Sequence, residues 1–259
     1  MDSIWTKTAQ LPQFEPLRSD LNTDVLIIGG GLAGVLCAYK LAQAGVDYAL
    51  VEADRICSGI TKNTTAKITS QHGLIYDKLI REFGVERARL YLEANQGALE
   101  EYRALCRDID CYFEEKDAFV YSIDKRWKLE RELKALDRLG FRAEFVEQIP
   151  IPFPTAGAVK FPRQAQFHPL KFLAAIVKNL RILERTKVLE LGPGKAVTSG
   201  GTISADRIIV ATHFPLLNKH GGYFLKLYQH RSYVLALENA LDVHGMYIDE
   251  NEKGLSFRN

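Results

Sequence analysis

The sequence lacks three features that would each point to a specific class of protein. No apolar run reaches the roughly 20 residues that a membrane-spanning helix needs, and the N-terminal stretch holds no apolar core of a secretion signal. The charges nearly cancel, with 34 lysines and arginines against 32 aspartates and glutamates. Nothing therefore favours nucleic acid or an anionic membrane as a partner. We expect a cytoplasmic globular protein.

Cysteine is also scarce, with four residues in a chain of 259. None of the four forms a C-x-x-C pair, and no histidine stands beside them at a spacing typical of metal ligands. The sequence therefore predicts no metal site. We interpret Cys37, Cys106 and Cys111 as reduced, structural residues, as expected in a reducing compartment.

The most informative stretch that is present is residues 24–34, which read DVLIIGGGLAG. Residues 25–28 are a continuous apolar run, typical of a parallel strand covered on both faces. The G-x-G-x-x-G pattern that follows fits a turn opening a helix. Gly29 permits the turn, Gly31 lets the backbone approach a phosphate, and Gly34 lets the helix lie close to the strand.

An acidic residue completes this pattern. Residues 47–51 read as a second strand, and Glu52 follows it, 18 positions after Gly34. A carboxylate there can accept hydrogen bonds from ribose hydroxyls, while the helix N-terminus faces a pyrophosphate. A glycine-rich turn without a ligand is the plainer alternative, but the complete order of strand, turn, helix, strand and acid favours a dinucleotide. The candidate binding residues are Gly29, Gly31, Leu32, Ala33, Gly34, Glu52, Ala53, Asp54 and Arg55.

Periodicity and turn residues outline the rest of the chain. Residues 76–83 and 84–108 read as helices, and Pro169 marks the start of another helix that His168 would stabilise. Four prolines predict a crossover loop over residues 149–163. Residues 228–238 are predicted to form a late strand.

Several segments resemble one protein family. The stretch DVLIIGGGLAG with its later VE, the loop SGITKNTTAKIT, the segment FPRQAQFHPLKFL and the strand end DRIIVATHFP resemble FAD-dependent oxidoreductases of the D-amino-acid oxidase and glycine oxidase superfamily. The run TTAKITSQHGLIYDKL, with QAQFHP and ATHFP, is similar to the bacterial branch that carries a C-terminal Rieske [2Fe–2S] domain.

The resemblance implies further cofactor contacts. The polar loop after Glu52 would run along FAD through Ser58, Thr61, Thr64 and Thr65. The backbone at Val188 would meet the adenine, and Ala211 and Thr212 would lie near the dinucleotide. Cys57 is close enough to this site for a covalent flavin link to be conceivable, although nothing else in the sequence supports one. An ordinary polar surface loop is the alternative.

The implied fold class is α/β, a Rossmann-like FAD-binding domain interleaved with an α+β substrate domain whose sheet is antiparallel or mixed. The FAD-binding domain would comprise residues 1–73, including an N-terminal arm, and 166–215. The substrate domain would comprise residues 74–165 and 216–259. Relatives continue beyond the point where this sequence stops, so the resemblance implies a C-terminally incomplete fold with weak or no activity of its own.

The implied reaction is oxidation of a C–N bond in an amine or amino acid by hydride transfer to flavin. Candidate substrate contacts are Tyr228, Arg231, Tyr233 and Arg258. Either arginine could pair with a carboxylate of the substrate. No catalytic residue stands out. The electron acceptor could be an iron–sulfur domain in trans. Two alternatives stay open, a NAD-binding dehydrogenase and a non-catalytic dinucleotide-binding or assembly subunit that needs a partner chain.

Overall fold

The chain divides into two compact units. A computed structural model describes residues 3–216, 222–230 and 232–259. The first unit comprises Met1–Thr65 and His168–Ala236, and the second comprises Ala66–Phe167 and Leu237–Asn259. Each unit is therefore assembled from two separate stretches of sequence.

A six-stranded sheet forms the centre of the first unit. Its strands, numbered along the chain, are β1 (Leu21–Ile28), β2 (Tyr48–Val51), β7 (Ile182–Leu183), β8 (Val188–Gly192), β9 (Lys195–Thr198) and β10 (Gly201–Val210). They lie in the order β7-β2-β1-β10-β9-β8, parallel as far as β10 and antiparallel beyond it. Leu26 and Ile27 in the central β1 are fully buried, as the apolar run predicts.

Helices accompany this sheet. They are α1 (Ile4–Thr8), α2 (Leu32–Gln43), α5 (Pro169–Ile176), α6 (Tyr223–Lys226) and the 3₁₀ helices Ile60–Asn63 and Val177–Asn179. His168 is the N-cap of α5, where its ring Nδ1 accepts a hydrogen bond of 3.1 Å from the amide of Lys171. The predicted role of His168 at a helix start is confirmed.

The second unit contains a mixed sheet and two long helices. Its strands are β3 (Lys67–Ile68), β4 (Glu114–Ser122), β5 (Glu144–Val146), β6 (Gly157–Gln166), β11 (Met246–Asp249) and β12 (Ser256–Phe257). They lie in the order β12-β11-β4-β6-β3, and β5 pairs with β6. The helices are α3 (Tyr76–Cys106) and α4 (Arg126–Arg138), and α3 is broken at Gly84, whose φ is 84°. The two predicted helices on either side of Gly84 are therefore confirmed.

Two of the predicted elements are wrong. The proline-rich segment is not a loop throughout, because residues 157–166 form the long strand β6. Pro162 is accommodated where the β4–β6 register shifts beside Asp117, and the amide of Arg163 bonds the Asp117 carboxylate at 3.0 Å. A bulge tolerates the missing N–H of proline. Among the described residues of 228–238 there is no strand, and most are exposed.

The α/β fold class with a mixed second sheet is confirmed. The unit boundaries differ from the predicted domain limits, and most at the last one, where residues 222–236 group with the first unit and not the second. Within the described part of the chain, no helix is long and apolar enough to cross a membrane.

Candidate dinucleotide site

The ends of three parallel strands meet at one edge of the first sheet. Gly29 follows β1, Glu52 follows β2 and Ala211 follows β10. The amide of Gly29 bonds the carbonyl of Val51, and the amide of Ala211 bonds the carbonyl of Ile28, both at 2.8 Å. Crevices at the carboxyl ends of strands are where open α/β sheets bind ligands. The topology therefore brings the glycine turn, Glu52 and the segment that starts at Ala211 to one place.

The glycines of the turn have different structural roles. Gly29 has a φ of 111°, and a Cβ there would lie 2.6 Å from the carbonyl oxygen of Ala211. A Cβ on Gly34 would clash with the carbonyl oxygen of Gly29. Gly31 differs, because its backbone is extended and a Cβ would meet only the Thr61 hydroxyl, at 3.4 Å. The fold itself requires Gly29 and Gly34, whereas the fold would tolerate a side chain at Gly31.

The helix α2 opens towards this edge with unused donors. Its N-cap is Gly31, which has no side chain to bond the first turn. The amide of Leu32 donates to Thr61 Oγ1 at 3.1 Å. Within the described residues, the amides of Ala33 and Gly34 have no acceptor. Free N–H groups and the positive end of the helix dipole favour an anion at this position.

Glu52 lies beside the turn, with its carboxylate held by the backbone. One oxygen accepts from the amide of Gly30 at 2.7 Å, and the other accepts from the amide of Asp54 at 3.0 Å. Each carboxylate oxygen has a second lone pair. Glu52 is therefore fixed in position and can still accept hydrogen bonds from a ligand.

A second acid, Glu184, was not found from the sequence. It follows β7, is fully buried, and accepts from the amides of Ile56 at 2.9 Å and Phe14 at 3.2 Å. Arg55 approaches it at 3.8 Å. Its only sequence signal is its place directly after a short strand, as with Glu52. Glu184 fixes the loop after Glu52, and Arg55 is engaged with it.

The other predicted cofactor residues are spread over the same unit. Ala53 and Thr65 are exposed, and Ser58 is partly buried. The carbonyl of Thr64 accepts from the indole of Trp5 at 2.9 Å. Val188 is buried in a cluster with Leu26 and Val51. The Thr212 hydroxyl donates to the carbonyl of Phe214.

Cys57 is buried beneath the turn. Its thiol contacts the carbonyl of Gly30 at 3.6 Å. Burial, with smaller contributions from Glu52 and Glu184, raises the pKa of this thiol to about 12. A thiol in that state is a poor nucleophile, so the chemistry does not favour a covalent link at Cys57.

The predicted substrate residues are divided between the two units. Tyr228 and Tyr233 lie in the first unit and are 83% and 86% exposed. Arg231 lies outside the described residues. Arg258 lies in the second unit, where its guanidinium donates to the carbonyl of Ala66 at 3.1 Å.

The cationic neighbour of Arg258 was missed by the sequence analysis. Lys67 Nζ donates to the carbonyl of Tyr247 at 3.0 Å and to the hydroxyl of Ser256. Burial, with a smaller contribution from Arg258, lowers the pKa of Lys67 to about 8. Across the strand pair lies Gln166, whose buried Oε1 has no hydrogen-bond partner in the described structure. Strongly shifted pKa values cluster at functional sites, so the partly buried Lys67 is a candidate functional residue.

The residues of the first unit fit a dinucleotide. The open amides of α2 and the bare backbone at Gly31 suit the pyrophosphate, and the spare lone pairs of Glu52 suit ribose hydroxyls. These are properties of the backbone and of one carboxylate, so they do not by themselves distinguish FAD from NAD.

Comparison with known proteins resolves the family. YhfW of Bacillus subtilis, whose name describes a Rieske 2Fe-2S iron-sulfur protein, is 36% identical over 99% of this chain and 53% of its own length. Gamma-glutamylputrescine oxidoreductase of Escherichia coli is 26% identical over 76% of this chain and 50% of its own length. The chain spans about half the length of these curated relatives.

Solved structures agree on the fold. Glycine oxidase from Geobacillus kaustophilus superposes with a TM-score of 0.56 at 21% identity, over 74% of this chain and 55% of the enzyme. L-proline dehydrogenase from P. horikoshii superposes with a TM-score of 0.61 at 18% identity, over 76% and 53%. The sequence profile of the FAD dependent oxidoreductases, DAO, matches residues 24–259, from the strand before the glycine turn onward, and the chain therefore belongs to that family.

Proposed function

We propose that this chain binds FAD in the first unit and belongs to an oxidoreductase that oxidises a C–N bond of an amine or amino acid. The observation that carries the proposal is the edge formed by Gly31, the free amides of Ala33 and Gly34, and the fixed carboxylate of Glu52. Family membership supports FAD over NAD as the dinucleotide. The names of gamma-glutamylputrescine oxidoreductase and glycine oxidase support an amine or amino-acid substrate.

The first unit would bind and orient the cofactor. Bound FAD would supply the acceptor for a hydride from the carbon next to the amine. The amides of Ala33 and Gly34 would face the pyrophosphate, and Glu52 would hold the ribose. This proposal includes FAD contacts at Val188, Ala211, Thr212 and the loop hydroxyls. It also gives residues 1–73 and 166–215 a role in binding the cofactor, and the remaining residues a role in binding the substrate.

Arg258 and Lys67 are the strongest candidates for binding a substrate carboxylate. They are neighbouring cations in one unit, and burial lowers the pKa of both. Within the described residues, Lys67 donates to the neutral oxygens of Tyr247 and Ser256, so a carboxylate would supply the opposite charge. This favours an amino acid over a simple amine. We assign no catalytic acid or base.

A second candidate function is that of a dinucleotide-binding subunit completed by a partner chain. Residues 207–210 of β10 pair with β1 on one side, while among the described residues β9 pairs with residues 201–204 on the other. Leu225 and Leu235 are 80% and 86% exposed. An edge left unpaired by the described residues and exposed leucines in the same unit both favour contact with further protein. An iron–sulfur domain as electron acceptor is consistent with the name of YhfW, and the cytoplasmic location stays a prediction.

The test is a titration of the purified chain with FAD and with NAD, followed by flavin fluorescence and by calorimetry. We expect affinity for FAD over NAD. In G31A the new methyl meets only the Thr61 hydroxyl at 3.4 Å, so the fold should persist. The methyl would occupy the phosphate approach and should weaken FAD binding by tenfold or more, equivalent to about 1.4 kcal/mol.

The matched control is G97A, because a Cβ on Gly97 in α3 meets nothing within 4 Å. It should leave FAD affinity unchanged. NAD binding without FAD binding would overturn the proposal in favour of a dehydrogenase. Binding of neither dinucleotide would favour the subunit that needs a partner, and adding a candidate partner would then have to restore FAD binding.

A further inference from the structure

Two of the four cysteines lie together at the end of a helix in the second unit. Cys106 is the last residue of α3, and the amide of Ile109 bonds its carbonyl at 3.3 Å. The amide of Cys111 in turn bonds the carbonyl of Ile109 at 2.8 Å. This compact turn places the two cysteines side by side, and both line the same surface hollow. Both cysteines are free.

The pair faces a surface concavity. A hollow of about 540 Å³ is lined by both cysteines and by Arg103 and Arg107. The side chains themselves are shielded, since Cys106 is 5% exposed and Cys111 is fully buried. A small oxidant could therefore approach the thiols from the hollow, whereas a large reagent would be hindered.

The two thiols differ in acidity. The neighbouring Cys106 thiol holds the pKa of Cys111 below its ordinary value, against an opposing effect of burial. The pKa of Cys106 is raised by its hydrogen bond with Cys111 and by burial. The thiolate is the nucleophilic form of cysteine, and this difference favours Cys111 as the attacking residue and Cys106 as the resolving one.

We propose that Cys106 and Cys111 form a redox-active dithiol that a hydroperoxide converts into an intramolecular disulfide. The Cys111 thiolate attacks the hydroperoxide, so an S–O bond forms while the O–O bond breaks, and an alcohol or water leaves with a proton. Cys106 then attacks the sulfur of the resulting sulfenic acid. The S–S bond forms, the S–O bond breaks, and water leaves with the Cys106 proton.

Atoms and electrons are conserved in this reaction. Two thiols lose two electrons, and one hydroperoxide gains them to give one alcohol, or water, and one further water. A thiol reductant reverses the modification by disulfide exchange. The proposal depends only on the second unit and does not rest on FAD binding or on turnover.

Cys37 supplies the decisive control. It is more exposed than Cys106, Cys111 or Cys57, so exposure alone would make it the first to react. The reduced full-length chain would be treated with hydrogen peroxide, quenched with an alkylating reagent and digested for mass spectrometry. We expect a Cys106–Cys111 disulfide, with loss of two hydrogen atoms, before oxidation of Cys37.

Variants separate the two roles. C106S should leave Cys111 as a sulfenic acid that dimedone traps, whereas C111S should leave Cys106 reduced at the same peroxide dose. C37S and C57S should still form the disulfide. Circular dichroism before treatment confirms that each variant is folded. Oxidation of Cys37 first, or no linked Cys106–Cys111 peptide in the folded wild-type chain, would overturn the proposal.

Discussion

The N-termini of α2 and α3 meet the same chemical need in opposite ways. Every helix leaves its first N–H groups without partners inside the helix. In α3 the buried Glu132 of α4 accepts from the amides of Tyr76 at 2.8 Å and Asp77 at 2.9 Å. In α2, within the described residues, the amides of Ala33 and Gly34 have no acceptor.

The difference separates a structural helix end from one suited to a ligand. Glu132 is 1% exposed, so its carboxylate is committed to closing the start of α3. At α2 a comparable carboxylate, Glu52, accepts from the amide of Gly30, which lies two positions before the first residue of the helix. Within the described residues, the amides of Ala33 and Gly34 therefore stay available to a ligand. The start of α3 is occupied by a buried acid, whereas the start of α2 still has donors that an anion could use.

Truncating Glu132 should produce the largest effect on stability. E132A leaves two shielded amides without acceptors, and we expect a loss of about 3 kcal/mol in the free energy of unfolding. Urea denaturation followed by circular dichroism measures it. E132Q retains one acceptor oxygen and should lose clearly less. A loss below about 1 kcal/mol for E132A would mean that the closed end of α3 contributes little.

Lys67 in the second unit is a partly buried cation, and within the described residues its ammonium group contacts no carboxylate. K67M removes that charge, and Ser256 still donates to the carbonyl of Tyr247. We expect K67M to be more stable than the wild type at pH 7 by about 2 kcal/mol, from a pKa shift worth roughly 1.4 kcal/mol per unit less the lost hydrogen bonds.

The pH dependence of that difference has a definite sign. The pKa of Lys67 falls from an ordinary 10.5 to about 8 in the fold. Between these values the unfolded chain binds more protons, so wild-type stability rises with pH. The advantage of K67M should therefore be constant below about pH 8 and shrink as the pH rises towards 10.5. Paired denaturation curves at pH 7 and 10 check this, and an advantage that grows with pH would contradict it.

The sequence predicted the local parts of this site, but not the contacts across the chain. The strand, turn and helix over residues 24–43 follow from periodicity and glycine, which act between neighbours. Thr61 bonds Leu32 across 29 positions, and Glu184 bonds Ile56 across 128. No local pattern encodes such pairs. Strand β6 was missed for a related reason, since Pro162 is compatible with a strand only at the bulge opposite Asp117.

Substitution of Glu52 tests whether FAD binds at the open start of α2. E52Q keeps the shape and one acceptor but replaces the other with a donor facing a backbone amide. We expect FAD affinity to fall about tenfold, or 1.4 kcal/mol. E190Q is the control, because Glu190 is an exposed acid in β8 of the same sheet. Equal FAD affinity for E52Q and the wild type would remove Glu52 from the cofactor site.

Thr61 gives the finest comparison between the two helix ends, because its hydroxyl accepts from the amide of Leu32 and so partly closes the start of α2. T61V removes the acceptor of the Leu32 amide while keeping the shape, and loss of such a capping bond costs about 1 kcal/mol. T202V, a similar change in strand β10, is the control. Hydrogen exchange should quicken at the first turn of α2 and stay unchanged at Tyr76 and Asp77, whereas E132A should do the reverse. If T61V also quickened exchange at Tyr76, the two ends would not be independent, and the contrast between an open and a closed helix start would not hold.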